Sequence, residues 1–333
     1  GAVRDPQPQR QDHLRLRQQL HGLSGRAVAV WAPARLEGFA FTDASLDRSD
    51  ALRGDAAALR ALWPGARLLV LDGQGCAAAD AHGGLLPLLG GELGGGPGTA
   101  IFLGRAGGQA WFAQDAAVVP DLQVAQWVDL RRAAAHWPDA AASAFAYARG
   151  MLYWQARSRF CGVCGAAVAF DRAGFVGHCG QCGTDHYPRV DPAVIVAVSD
   201  GQRLLLGRQP GWAPRRWSVL AGFVEPGEAP ERTVVREVHE EARVRVRACQ
   251  YLGAQPWPFP GALMLGFQAL AEADEPCVDG ELEQARWFSR EEIAQAMARD
   301  GCQSEGDHLA PAISIARSLI EHWYHHGPML TPD

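Results

Sequence analysis

The segment GFVEPGEAPERTVVREVHEEARV, Gly222 to Val244, decides how the chain is read. Pro230 suits the first turn of a helix, and the spacing from there predicts a helix running to Arg243. Val234, Val235, Val238 and Ala242 recur on one side of it and are expected to pack on a sheet. Glu237, Glu240 and Glu241 fall at i, i+3 and i+4 and share another face. Three carboxylates in that arrangement repel one another unless a cation lies among them. Hard oxygen ligands suit Mg2+ or Mn2+, ions that commonly bridge protein carboxylates to substrate phosphates. Glu228, just ahead of the helix, completes the acidic group, and Arg236 is placed to orient a carboxylate through paired hydrogen bonds. A solvated, charged helix face is the plainer reading of such a run. The glycine-rich approach and the spacing favour a metal site.

Upstream, PAVIVAVSDGQRLLLGRQ (Pro192 to Gln209) reads as two strands around a turn at Asp200–Gly201, and WSVLAGFVE as a further extended stretch. Downstream, strands are expected at Ala248–Gly253, Leu263–Ala271 and Gln284–Ser289. A helix capped by Ser289 should follow, and LAPAISIARSLIEHWYHH closes the chain as an amphipathic helix. Between these strands lies AQPWPFPGA (Ala254 to Ala262), which reads as a stiff proline loop. It presents Trp257 and Phe259 as faces on which a base can stack.

Ahead of this region stand Cys161, Cys164, Cys179 and Cys182, spaced C-x2-C-x14-C-x2-C. Two such pairs supply four thiolates in a tetrahedron, the closed site that structural Zn2+ prefers. Gly162, Gly165, Gly180 and Gly183 lie beside them, where a tight turn asks for permissive backbone. His178 and His186 are nearby but not needed as ligands. Further upstream, Ala66–Ala79 and Thr99–Ala113 read as hairpins, and Ala133–Arg157 as a connecting helix whose Phe145, Tyr147 and Trp154 serve packing. Residues 1–25 are polar and expected to be loose.

The chain has 333 residues, 48% hydrophobic, with a formal net charge of −6. That balance argues against broad nucleic-acid binding, which needs a basic surface, though not against a local basic pocket. No run of about eighteen apolar residues offers a membrane span, and no apolar signal core opens the sequence. Close cysteine pairs without a secretion signal fit a reducing cytoplasm.

The Gly222–Val244 segment resembles the Nudix box, G-x5-E-x7-R-E-U-x-E-E-x-G-U with U aliphatic. Gly222, Glu228, Arg236, Glu237, Val238, Glu240, Glu241 and Val244 match it, and Arg243 stands at its second glycine. Gln255 to Pro260 resemble the SQPWPFPxS signature of the NADH pyrophosphatase subfamily, with Ala254 and Ala262 in place of its serines. The ribbon position, Tyr187–Pro188–Arg189, Glu281 with Ala285–Phe288, Ser314–Ile320 and Leu46–Asp47–Arg48 are also similar to that subfamily, with Gln284 replacing an inner Glu.

The resemblance implies an α/β fold: a Nudix α/β/α sandwich over residues 191–333, preceded by a zinc ribbon (158–190) and an N-terminal mixed α/β domain (26–157). It implies hydrolysis of NADH or NAD+ to nicotinamide mononucleotide and AMP, with removal of a 5′ NAD cap from RNA as a second activity. One structural zinc per chain and a catalytic Mg2+ or Mn2+ are implied. The latter would be held by Glu228, Glu237, Glu240, Glu241 and Glu281, with Glu241 serving the attacking water. Tyr187 and Phe223 would stack on the base across a homodimer, Gln255, Trp257 and Phe259 would contact substrate, and Ala316 would line the pocket. Two alternatives stay open: a Nudix hydrolase for a nucleotide sugar or other dinucleotide, and a binding protein that uses the ribbon with a silent Nudix scaffold.

Overall fold

In the computed structural model the described residues are 36–327, except 95, 120–121, 279 and 300–305. The expectation of loose chain over residues 1–25 lies outside them.

The N-terminal part begins with helix α1 (Ala56–Leu62), capped by the Asp55 carboxylate, which accepts from the amides of Ala57 and Ala58. Strands β1 (Arg67–Leu71), β2 (Ala77–Ala79), β3 (Ile101–Ala106), β4 (Gln109–Asp115) and β5 (Gln126–Val128) form one sheet in the order β3-β4-β1-β2-β5. Both expected hairpins are present, since β1 pairs antiparallel with β2 and β3 with β4. Strand alternation splits the apolar residues between two cores. Leu69, Ile101, Leu103 and Ala113 join one with Phe145 and Trp154, whereas Leu68, Val70, Phe102 and Phe112 join the other with Leu59 and Trp63. The connecting helix is two helices, α2 (Leu130–His136) and α3 (Asp139–Arg157). Pro138 lies between them and supplies the N-cap position of α3. A residue before proline is pushed out of helical geometry, and Trp137 is extended at ψ 157°.

A three-stranded ribbon follows, with β6 (Val168–Asp171), β7 (Val176–Cys179) and β8 (Asp185–His186). The C-terminal part is a six-stranded mixed sheet. It contains β9 (Asp191–Ser199), β10 (Leu204–Arg208), β11 (Leu220–Phe223), β12 (Val246–Trp257), β13 (Ala262–Ala271) and β14 (Gln284–Phe288), ordered β12-β13-β9-β10-β14 with β11 on β9. Helices α4 (Pro230–Ala242), α5 (Arg290–Met297) and α6 (Ile315–His326) cover its faces.

The run Ala193–Val198 shows how the sequence builds these layers. Val194, Val196 and Val198 face Val234, Val238 and Ala242 of α4. Ile195 and Ala197 face Ile315, Leu319 and Ile320 of α6. Val234 and Val238 are fully buried, and burying each side chain stabilises the α4–sheet contact by about 1.5–3 kcal/mol.

Two expectations change. Ala254–Trp257 is not loop but the end of β12, paired with β13 through Trp257–Ala262, so the aromatic segment sits on a hairpin. The last helix begins only at Ile315. Ser314 caps it by accepting from the Ala316 amide, and Pro311, three residues before that cap, lies outside the helix.

Candidate active site

The four cysteine sulfurs lie within 4.8 Å of one another, and among the described residues they are the only group of three or more ligand atoms so gathered. Cys161 and Cys182 are 3.6 Å apart and Cys164 and Cys179 3.5 Å. A tetrahedral zinc with Zn–S bonds of about 2.3 Å needs sulfurs about 3.8 Å apart, so the set fits. Each turn closes by a backbone bond, Gly165 N–H to Cys161 O and Gly183 N–H to Cys179 O. Gly165 and Gly183 have φ of 76° and 74°, a conformation that favours glycine; Gly162 and Gly180 are not left-handed. His186 Nε2 lies 3.3 Å from Cys161 Sγ, placed to support a thiolate, while His178 bonds Asp185. Both histidines stand beside the sulfur cluster, not in it.

On α4 the acidic residues gather around one guanidinium. Arg236 Nε donates to Glu228 Oε1 at 3.0 Å and Nη2 to Glu228 Oε2 at 2.9 Å. Nη1 donates to Glu237 Oε1 and to Glu240 Oε2, both at 2.9 Å, and Nη2 also reaches the Phe223 carbonyl. All five N–H donors of Arg236 are thus engaged. The hydrogen bonds from Arg236 hold the Glu228 carboxyl down at about 2 despite desolvation, with Thr233 adding to the effect. Thr233 Oγ1 donates to Glu228 Oε2 at 2.8 Å. Glu228 is therefore a brace for Arg236 and the start of α4.

Glu237 has its carboxyl pushed up by burial, against the opposing pull of Arg236. A Cβ built on Gly222 would lie 1.9 Å from the Glu237 Cδ, so only glycine lets that carboxylate rest against β11. Glu241 is 2% exposed on the same helix, and Glu281 is near enough for its charge to act on Glu237. Hard carboxylates on one helix face, with Glu241 buried, Glu237 half-buried and Glu240 exposed, are the oxygen donors that a divalent metal prefers. Arg243 ends the helix with φ 57° and ψ 18°, the left-handed geometry expected at that position.

On the α6 face of the sheet lies a cavity of about 1030 Å³, lined by Trp257, Gln255 and Ala316 among others. Trp212, Arg216 and His308 of neighbouring loops join it, and so does Arg131 of α2. Gln255 is fully buried. Its Nε2 donates to the carbonyls of Ala40 and Ile313, and its Oε1 accepts from the Ile315 amide at 2.8 Å. The amide thus fastens three chain segments behind the cavity wall. Phe259 lines neither this cavity nor its neighbour. It packs on Trp257, with ring centroids 4.8 Å apart, and carries the Arg131 guanidinium 3.9 Å over its ring. Tyr187 and Phe223 are exposed, 50% and 60%, and neither makes a ring contact among the described residues. Sequence reasoning missed Thr233, Trp212, Arg216, His308 and Arg131. Thr233 sits five residues from Glu228 within the quoted segment and could have been found, but nothing local to Arg131 ties α2 to this cavity.

Residues 189–305 match the NUDIX domain family. Residues 156–187 match the NADH pyrophosphatase zinc ribbon domain, and residues 60–154 the NADH pyrophosphatase-like rudimentary NUDIX domain. The NAD-capped RNA hydrolase NudC of Mycobacterium bovis (strain BCG / Pasteur 1173P2) is 42% identical over 288 residues, covering 83% of this chain and 92% of its own. The protein of that name from Mycobacterium tuberculosis (strain ATCC 25177 / H37Ra) has the same identity and coverage. The human NAD-capped RNA hydrolase NUDT12 is 41% identical over 201 residues, 57% of this chain and 43% of its own. A crystal structure of a Nudix hydrolase from Nitrosomonas europaea covers 45% of this chain and 97% of its own at 23% identity and a TM-score of 0.36, too low to add to the assignment. With its cysteine cluster of zinc geometry, Glu228, Glu237 and Glu240 gathered on Arg236, and relatives 42% identical over 83% of its length, the chain belongs to the NADH pyrophosphatase (NAD-capped RNA hydrolase) subfamily of Nudix hydrolases.

Proposed function

We propose that this chain hydrolyses the diphosphate of NADH and NAD+ to AMP and nicotinamide mononucleotide, in its reduced form from NADH, and removes NAD caps from RNA 5′ ends. The observation that carries the reading is the arrangement on α4: Glu237 and Glu240 share Arg236 Nη1, and Glu241 lies buried on the same helix. The curated relatives named as NAD-capped RNA hydrolases supply the substrate class.

Glu237, Glu240, Glu241 and Glu281 would hold the catalytic Mg2+ or Mn2+, whereas Glu228, both of whose oxygens accept from Arg236, is given the bracing role in place of the ligand role that the resemblance implies. A divalent metal held there would neutralise the diphosphate and lower the pKa of a bound water. Arg236, braced by Glu228 and Thr233, sets the orientation of Glu237 and Glu240. Glu241 positions or deprotonates the attacking water. Water adds at one phosphorus, the P–O–P bridge breaks, and each mononucleotide leaves with one phosphate. The cavity lined by Trp257, Gln255 and Ala316 receives the dinucleotide.

Exposed Tyr187 and Phe223 support a homodimer in which each stacks on substrate from one protomer or its partner. The domain division at residues 26–157, 158–190 and 191–333 belongs to the same reading. So does a cytoplasmic location, which fits a thiol cluster kept reduced; no described helix is long and apolar enough to cross a membrane.

The test is NADH hydrolysis with added Mg2+ or Mn2+, with both mononucleotides quantified by chromatography. The wild type should form them in equal amounts, and Glu241→Gln should lower turnover by a factor on the order of 10² or more. Near-normal turnover in that variant would remove Glu241 from the chemistry, and absence of hydrolysis in the wild type would refute the activity.

A further inference from the structure

Three stretches that, Trp257 apart, have no task in the hydrolysis meet at a second cavity. They are Leu46–Arg48, Pro188–Val190 and Pro256–Pro258, and the cavity measures about 510 Å³, within the ordinary range for a small-molecule site. It shares only Trp257 with the dinucleotide cavity. Asp47 fixes the first stretch by exchanging backbone hydrogen bonds with Arg105 of β3 at 2.9 and 2.8 Å. A Cβ on Gly104 would come within 2.2 Å of the Asp47 carbonyl, so this close docking depends on that glycine. Residues on either side of a paired extended position point the same way, and Leu46 and Arg48 both line the cavity.

The lining combines aromatic rings with arginines. The Arg48 guanidinium lies 3.4 Å over the Tyr147 ring, and that of Arg157 4.6 Å over Tyr153. Arg189 is a third cation at the wall. None of these three forms an ion pair among the described residues, whereas Arg53, a fourth, is occupied by Asp50 and the Tyr147 hydroxyl. The carboxylates at the wall are Asp43 and Asp191, and Asp43 already accepts from Ser45. The wall sets four arginines, Arg53 included, against two carboxylates, so this apolar, ring-lined space carries an excess of positive charge that attracts anions in a chain of net charge −6. A guanidinium stacked on a ring keeps its N–H edge for phosphate, and Trp154, only 7% exposed, reaches the wall with aromatic surface against which a base can pack.

We propose that this cavity is a second nucleotide site, taking one nucleoside phosphate with its base against the rings and its phosphate on Arg48, Arg157 and Arg189. That unit is either a residue of an RNA chain or a free mononucleotide. The RNA source rests on the cap-removing activity proposed above, while the site itself does not.

The test uses the full chain without added divalent metal, so that no turnover is needed. A short uncapped oligoribonucleotide labelled at its 3′ end is titrated by fluorescence anisotropy, and AMP by calorimetry. The variant is Arg48→Gln/Arg157→Gln, both positions exposed and outside the catalytic set. The double variant should bind the oligonucleotide at least tenfold more weakly, and its salt dependence should flatten by about 1.4 in log–log slope. NADH hydrolysis, measured separately, should stay within twofold. If AMP alone binds, with the same loss in the variant, the site takes free mononucleotide. If neither probe binds the wild type, or neither loses affinity in the variant, the proposal is overturned. Failure of NADH hydrolysis in the wild type would refute the proposed activity and leave this binding result standing.

Discussion

Replacing Gly222 by alanine separates the placement of a carboxylate from its presence. The Gly222 backbone is not left-handed, so alanine costs no strain of its own there, and a strand alanine is favoured over glycine by about 0.5–1 kcal/mol. The new methyl, however, would stand 1.9 Å from Glu237 Cδ and 2.1 and 2.3 Å from its oxygens, where ordinary contact begins near 3.4 Å. The carboxylate must retreat by about 1.5 Å, and a misplacement of about 1 Å is enough to cost on the order of 10²-fold in rate. The retreat also breaks the 2.9 Å bond from Arg236 Nη1, a charged hydrogen bond contributing about 1.5–3 kcal/mol at most. After the strand gain, the net loss of stability should be about 2.5 kcal/mol or less. Glu237 is the far end of a flexible side chain, so the fold should adapt. The expected outcome is a folded Gly222→Ala protein, with a melting temperature lowered by a few degrees, whose NADH turnover falls at least 10²-fold. Paired calorimetry and product chromatography read both quantities. Turnover within threefold of wild type would show that Glu237 does its work from elsewhere, and that the close approach to β11 is incidental.

Elemental analysis of protein purified without added metal should find about one zinc per chain, and chelation should lower the melting temperature; intact reduced thiols without zinc would sink the ribbon assignment. Arg243→Gly relieves a left-handed arginine at φ 57°, worth about 1 kcal/mol, against the greater freedom of glycine in the unfolded chain, about 0.4–1 kcal/mol. It should therefore be neutral to slightly stabilising in urea melts, and a loss above 1 kcal/mol would show that the arginine side chain holds the helix end. His322 has its pKa lowered by burial, with His326 adding to the effect. The unfolded chain therefore takes up a proton that the folded chain resists. This contribution to stability is complete above about pH 6.5 and is lost as pH falls through the window below it. His322→Gln should flatten that part of the melting-temperature profile, and an unchanged slope would place the pH dependence elsewhere.

The features read correctly from sequence are local ones. The cysteine pairs place four sulfurs through two short turns, each closed by one backbone bond. The i, i+3, i+4 glutamates share a face because a helix has 3.6 residues per turn. The alternation of Val194–Val198 shows that β9 is buried on both sides, and the capping of α5 by Ser289 and Glu292 stands in four consecutive letters. The segment Ala254–Trp257 was harder, because its prolines suggest a loop. Pro256 is nevertheless accommodated where β12 pairs with β13 close to the hairpin end.

Contacts between distant segments had no such signal, and they decide what the candidate site residues do. Gln255 reads as a substrate contact when seen beside Trp257 in the sequence. In the fold its side-chain amide bonds Ala40, 215 residues away, and Ile313, 58 residues away. Phe259 likewise reads as a stacking platform, yet Arg131 of α2 lies over its face and Phe41 packs at its side. Both interactions tie the N-terminal part to the hairpin that carries Trp257. The N-terminal part therefore does more than precede the catalytic one. It supplies Arg131 to the larger cavity, Arg48 and Tyr147 to the neighbouring one, and the Ala40 carbonyl that anchors Gln255. Without the N-terminal part, the smaller cavity would lose most of its lining and the larger one Arg131 and Ala135, while the Arg236 cluster on α4 is built entirely from residues 223–240. The Arg236 cluster is thus encoded in one short segment, whereas the cavities beside Trp257 are assembled from segments far apart in the chain.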